Sequence, residues 1–152
     1  HARGHGVPGL MEPAIELAPG AEDHGFAPML ATLLRQNLDD HEDKRATAMR
    51  MRGRVAMVIT DLGMSVTLEF VPFAVRVHAG IVGIPDVTVR AGSDHIMKMS
   101  MLELGRFGLP DPRGAVAKEL AAAEKAGAIK YFGALANIPL MLRLTRVMSV
   151  NA

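Results

Sequence analysis

The chain has 152 residues, no cysteine, 49% hydrophobic residues and a net charge of +1 from 17 basic and 16 acidic side chains. That length suits one domain with a real core, and the missing thiols exclude disulfides, thiolate metal sites and cysteine nucleophiles. Balanced charge, one Tyr and no Trp leave neither a field nor a stacking platform for nucleic acid, so no nucleic-acid partner is expected.

Residues 1–25 carry Gly4, Gly6, Pro8, Gly9, Pro13, Pro19, Gly20 and Gly25. This density of breakers reads as a flexible N-terminal arm, with Met11 to Leu17 as one sticky turn, ahead of a domain over 26–150. From Ala27 to Asp40, Met29, Leu30, Leu33, Leu34 and Leu38 form one helical stripe, and Pro28 suits the first turn. An acidic block, Asp39, Asp40, Glu42 and Asp43, then meets a basic one, Lys44, Arg45, Arg50, Arg52 and Arg54, and reads as a solvated surface.

Four strand-like runs follow, at Val55–Thr60, Ser65–Val71, Ala74–Ala79 and Asp86–Arg90. They are separated by turn signals at Asp61-Leu62-Gly63, at Pro72 and across 80–85. Three alternate, as a sheet with one wet face requires. The Val55 run does not alternate, which places it inside the sheet with neighbours on both edges and cover on both faces. Ser93 is expected to cap a helix over Asp94–Leu104. Asp111 is expected to cap a second helix, with Pro112 at its first position, the Ala-rich run Ala115–Ala126 as its body and Gly127 past its end. Ala128–Phe132 reads as a fifth strand, and Pro139 opens a last helix to about Met148.

The order of these elements, with several of their residues, resembles the sterol carrier protein (type-two) lipid-binding domain family. The resemblance runs from about Ala27 to Val150. It rests on Gly53-Arg54-Val55 through Asp61-Leu62-Gly63-Met64-Ser65-Val66-Thr67-Leu68, on Pro85-Asp86-Val87-Thr88-Val89 with the helix after Ser93-Asp94, and on Gly127-Ala128-Ile129-Lys130 with Gly133 and the apolar Leu140 to Leu144. It implies an α+β fold: an N-terminal helix on a mixed five-stranded sheet (a three-strand meander, a crossover and later strands) covered by helices. It further implies a hydrophobic tunnel that takes fatty acyl chains, acyl-CoA, phospholipids or sterols, with no chemistry and no cofactor. The Ala-rich helix between Gly105 and Gly127 departs from the family pattern, which has a shorter, more apolar segment there, and bears on the size of any cavity.

On this reading the candidate tunnel residues are Leu68, Phe70, Val75 and Val77 from the sheet, with Met99, Leu102, Leu140, Met141 and Leu144 from the helices. Eleven methionines supply adaptable apolar surface for core or ligand alike. On the last helix, Leu140, Met141, Leu144, Val147 and Met148 share a stripe of roughly 120°. Arg143 and Arg146 flank it and Leu142 falls on the polar side. A basic amphipathic helix with a stray Leu suits an anionic membrane surface, so Leu142, Arg143 and Arg146 are the candidate membrane contacts.

Other chemistry finds less support. Met97, Met99 and Met101 with His95 are a soft-metal composition, but residues two apart on a helix point about 200° from each other, so no metal is expected. There is no Gly-x-Ser-x-Gly elbow, no P-loop and no carboxylate pair spaced for acid–base work, so no catalytic residue is expected. His78 should face water, opposite Val75 and Val77. No signal peptide and no apolar run of 18 residues is present, and a cytoplasmic protein is expected. Two alternatives differ in kind: a non-catalytic interaction or regulatory module with a filled core, and a small enzyme or enzyme subunit with a polar centre.

Overall fold

The computed structural model describes residues 13–151. Its centre is a six-stranded mixed sheet in the order β1-β4-β3-β2-β5-β6. The strands are β1 (Ala14–Leu17), β2 (Gly53–Ile59), β3 (Met64–Val71), β4 (Ala74–Ala79), β5 (Val87–Ala91) and β6 (Lys130–Phe132). β2, β3 and β4 form an antiparallel meander, β5 runs parallel to β2, β1 runs parallel to β4, and β6 closes the far edge antiparallel to β5.

The sixth strand is β1, and it corrects the expected arm over 1–25. Ala14 to Leu17 pair with Ala74 to Val77, and Ala21, in a short 3-10 turn (Ala21–Asp23), is fully buried. Ile15 and Leu17 turn toward the core and Glu16 turns out to Arg76 at 3.3 Å. Four residues between Pro13 and Pro19 carry too little pattern to reveal a strand whose partner lies about sixty positions later. The rest of the expected arm, residues 1–12, lies outside the described residues.

Register sorts the side chains onto two faces. Val55, Met57 and Ile59 stand in line with Leu68, Val66, Val75, Val77, Val87 and Val89 on one face, and all of them are buried. Arg54, Glu69, Arg76, His78, Thr88 and Arg90 occupy the other. β2 does lie between two strands, and its second face is covered by the crossover from β4 to β5. That loop is held to the sheet through Thr67, whose hydroxyl donates to Gly80 O at 2.7 Å and accepts from Val82 N at 3.0 Å. Ala56, paired with Thr67, is thereby fully buried, and the apolar run of β2 has its physical explanation.

The helices lie against the apolar face. α1 (Ala27–Asp40) packs on β1 and β4, and α5 (Ile138–Met148) packs on α1 and α2 (Glu42–Arg50), while α3 (Ser93–Met99) packs on α4 (Ala115–Lys125). α3 is shorter than expected, and Ser93 does not cap it. Instead Asp61, in the β2–β3 turn, accepts from Ser93 N at 2.8 Å and from Ser93 Oγ at 2.7 Å. α4 likewise takes its cap from a distance: the Glu103 carboxylate accepts from Val116 N at 2.9 Å and Ala117 N at 3.1 Å, while Asp111 serves only its own turn. An acid from another segment satisfies orphan N–H groups as well as a local cap does.

The charged run over 39–54 is not wholly a solvated surface. Lys44, in α2, is fully buried, with Thr47 and Ala48 beside it in the core. Its ammonium donates to the carbonyls of Ser149 and Asn151, just past the end of α5. Asn37 of α1, also buried, donates to Val147 O and Met148 O, each at 2.9 Å. The open carbonyls at the end of α5 are thus satisfied by two side chains from other helices.

Candidate functional site

α5 roofs the half of the apolar face formed by β2, β5 and β6, and the packing beneath it is incomplete. A void of about 50 Å³ remains, bordered by Met57, Val89 and Tyr131 from the sheet, Met99 and Leu102 from α3 and its end, Leu120 from α4, and Met141, Leu144, Thr145 and Met148 from α5. Four of these ten residues are methionines. The polar groups are the Thr145 hydroxyl, which donates to Leu142 O at 2.7 Å, and the Tyr131 phenol. Burial, helped by the nearby Glu124 carboxylate, pushes the phenol above its ordinary value of 10.0, so it stays a neutral donor.

Four of the nine expected tunnel residues, Met99, Leu102, Met141 and Leu144, border this void. Leu68, Phe70, Val75 and Val77 are buried on the same face but on β3 and β4, toward β1 and α1, and do not border this void. Leu140 is buried and faces away, into a separate cleft beside Met51. The lining also includes Met57, Val89, Leu120, Tyr131, Thr145 and Met148, none of them among the expected tunnel residues. Register could have found three of them, since Met57, Val89 and Tyr131 are aligned across β2, β5 and β6.

The roof is tied down at its C-terminal end. Ser149 Oγ donates to Leu102 O at 2.6 Å, Val150 N to Ser100 O at 2.7 Å, and Asn151 Nδ2 to Met101 O and Leu102 O, both at 3.1 Å. With Lys44 and Asn37, these bonds join α1, α2, α5 and the end of α3 at one edge of the void.

The three expected membrane contacts separate. Leu142 is exposed, and Arg143 is half-buried and lines the cleft beside Met51. Arg146 stands apart from the other two: its guanidinium pairs with Asp43 at 2.9 Å and packs over Gly108, linking α5 to α2. Burial raises the Asp43 carboxyl, but the hydrogen bond and charge of Arg146 outweigh it and leave the group below its ordinary value.

A cluster of His, Glu and Arg does form, on the opposite face of the sheet from the void. Glu69 accepts from His78 Nε2 at 2.9 Å and Arg54 at 3.2 Å, with Arg76 at 3.9 Å. The His78 hydrogen bond, then the charges of His78, Arg54 and Arg76, hold Glu69 below its ordinary value against burial. His78 is therefore half-buried in an ion-pair network, not simply turned to water.

No helix among the described residues is long and apolar enough to cross a membrane. No protein-family model matches the chain, and no curated protein sequence matches it. Solved structures do. The ubiquinone synthesis protein UbiJ-SCP2 superposes with a TM-score of 0.56 at 17% identity, over 80% of this chain and 90% of its own. Sterol carrier protein 2 superposes with a TM-score of 0.50 at 15% identity, over 79% of this chain and 91% of its own. The stereoselective inverting sec-alkylsulfatase Pisa1 from Pseudomonas sp. matches 91% of this chain with 19% of its own length, at a TM-score of 0.51 and 18% identity. Together with the α+β architecture, these likenesses show that the chain has the sterol carrier protein fold.

Proposed function

We propose that the chain binds a fatty acyl chain or a similar lipid beneath α5 and has no catalytic role of its own. The observation that carries this reading is the methionine-rich, incompletely packed seam between α5 and the sheet. Methionine side chains rearrange at low cost, so such a seam yields to an apolar guest more readily than one of branched side chains. Two of the fold neighbours are named for a sterol carrier and for ubiquinone synthesis, and both compounds are largely hydrocarbon. Burial of each ligand methylene contributes about 0.8 kcal/mol, so an acyl chain needs no strong polar contact and selectivity among chain lengths is loose.

The void of 50 Å³ falls well short of the roughly 300–1,000 Å³ of typical ligand pockets. Ligand entry on this reading requires α5 to lift or its methionines to repack. The same small volume favours a second reading, an interaction module of this fold whose core is simply filled. Uptake of a fluorescent fatty acid, with native mass spectrometry of protein made in cells, separates the two. A carrier takes up the probe stoichiometrically and releases co-purified lipid on extraction, and Met141→Phe, which adds bulk at the roof, weakens uptake. Absence of both uptake and co-purified lipid would leave the filled-core module.

A further inference from the structure

Beside the buried seam, and open to solvent, lies a cleft of about 320 Å³ that brings together Arg50 and Arg52 from the end of α2 and Arg143 from α5, against Asn137 and Pro139. The three guanidiniums come from segments some ninety positions apart. In a chain whose net charge is only +1, they form a local positive patch. Among the described residues, neither Arg50 nor Arg143 has a carboxylate within ion-pair distance, and Arg52 is engaged only by the Met49 and Met51 carbonyls, at 2.8 and 2.7 Å. The segment that forms one wall of the cleft also carries uncovered apolar side chains: Leu135 is 90% exposed, Ile138 50% and Leu142 39%.

We propose that this face docks on an anionic phospholipid bilayer, with a lipid phosphate in the arginine cleft and Leu135, Ile138 and Leu142 among the acyl chains. Charge complementarity selects this occupant. Guanidiniums match phosphate geometry, and isolated apolar tips beside them suit an interface that is charged at one depth and oily a few ångströms below. A nucleic acid would supply the phosphates but leave Leu135 and Ile138 in water. This surface keeps Leu142 and Arg143 of the three contacts expected from the sequence and omits Arg146, whose guanidinium pairs with Asp43. It is independent of whether a ligand occupies the seam.

The test is co-sedimentation with vesicles of phosphatidylcholine alone or with about one-third phosphatidylglycerol. The expected result is binding to the anionic vesicles only, weakening as salt is raised. Arg50→Gln and Arg143→Gln should each lower the affinity about fivefold, and the pair about twenty-five-fold. Leu135→Ser, at a position with almost no contacts to lose, should lower it on the order of tenfold without moving the melting temperature. Equal binding to neutral vesicles, no binding to either, or full binding by the double arginine variant would overturn the proposal; in the last two cases an acidic protein becomes the alternative occupant. None of these outcomes involves the seam beneath α5, so failure here leaves the ligand reading standing.

Discussion

Replacing Lys44 by methionine keeps the aliphatic stem in its buried channel and removes only the ammonium. Two charge-assisted hydrogen bonds are lost, to Ser149 O and Asn151 O. Each is worth about 1.5–3 kcal/mol in isolation, but the ammonium no longer has to be desolvated, and that returns much of the sum. What remains is the buried Ser149 carbonyl left without its partner, about 1–3 kcal/mol; Asn151 is exposed and its carbonyl can turn to water. The expected net loss is about 2 kcal/mol, a fall of roughly 4–8 °C in melting temperature for a chain of this size. Hydrogen exchange should quicken first at Val150 and Asn151, whose amides bond to Ser100 O and Ser149 Oγ.

The pH dependence gives Lys44→Met a second readout. Burial pushes the Lys44 ammonium below its ordinary value of 10.5, opposed by Asp43 and assisted by Arg146. Between the lowered value and 10.5 the unfolded chain binds more protons than the folded one, so stability rises with pH in that window. The advantage of the parent chain over Lys44→Met should therefore be flat below the lowered value and widen from there as pH approaches 10.5. A variant as stable as the parent at pH 7, with the same pH profile, would refute the reasoning and show that an apolar isostere serves the site equally well.

Glu103→Gln should weaken the start of α4 and abolish one acid transition. The Val116 amide holds the Glu103 carboxylate below its ordinary value of 4.5, so its contribution is present above that pH and lost as pH falls through the lowered value; urea midpoints at pH 7 and pH 3 should differ less in the variant than in the parent. Gly133→Ala should destabilise by about 2–3 kcal/mol, read by urea denaturation, because φ is +80° and a methyl there would overlap the Asp86 carbonyl oxygen. Phe73→Gly should leave the melting temperature nearly unchanged, because relief of φ +67° in the β3–β4 turn, about 1–2 kcal/mol, is offset by loss of the half-buried ring and by the freer unfolded chain.

Much of the architecture was legible because it depends on local pattern. α1 and β4 have the bounds that their apolar spacing predicts, and β2, β3, β5 and α5 differ by one or two residues. Gly127, at φ +84°, ends α4 where a helix-terminating glycine is expected. The candidate site was legible only in part, and the residues say why. Met99, Leu102, Met141 and Leu144 border the void because they lie on or just past helices that cover that half of the sheet. Leu68, Phe70, Val75 and Val77 have the same alternation and the same burial, yet they lie toward α1 and away from the void. Alternation tells which face a side chain occupies; it does not tell which helix lies above it.

The sequence by itself determined where five of the six strands and most helices fall, which face of each is apolar, and the order of elements that resembles sterol carrier proteins. Those properties follow from periodicity and turn chemistry within a few residues. Tertiary structure alone decided that residues 14–17 form a strand, that Lys44 is buried, that Asp61 and Glu103 cap distant helices, and that three arginines share one cleft. Each of these depends on a partner thirteen to about a hundred positions away. A short strand or a lone charge gains its stability from that partner, and nothing in its own neighbourhood records it.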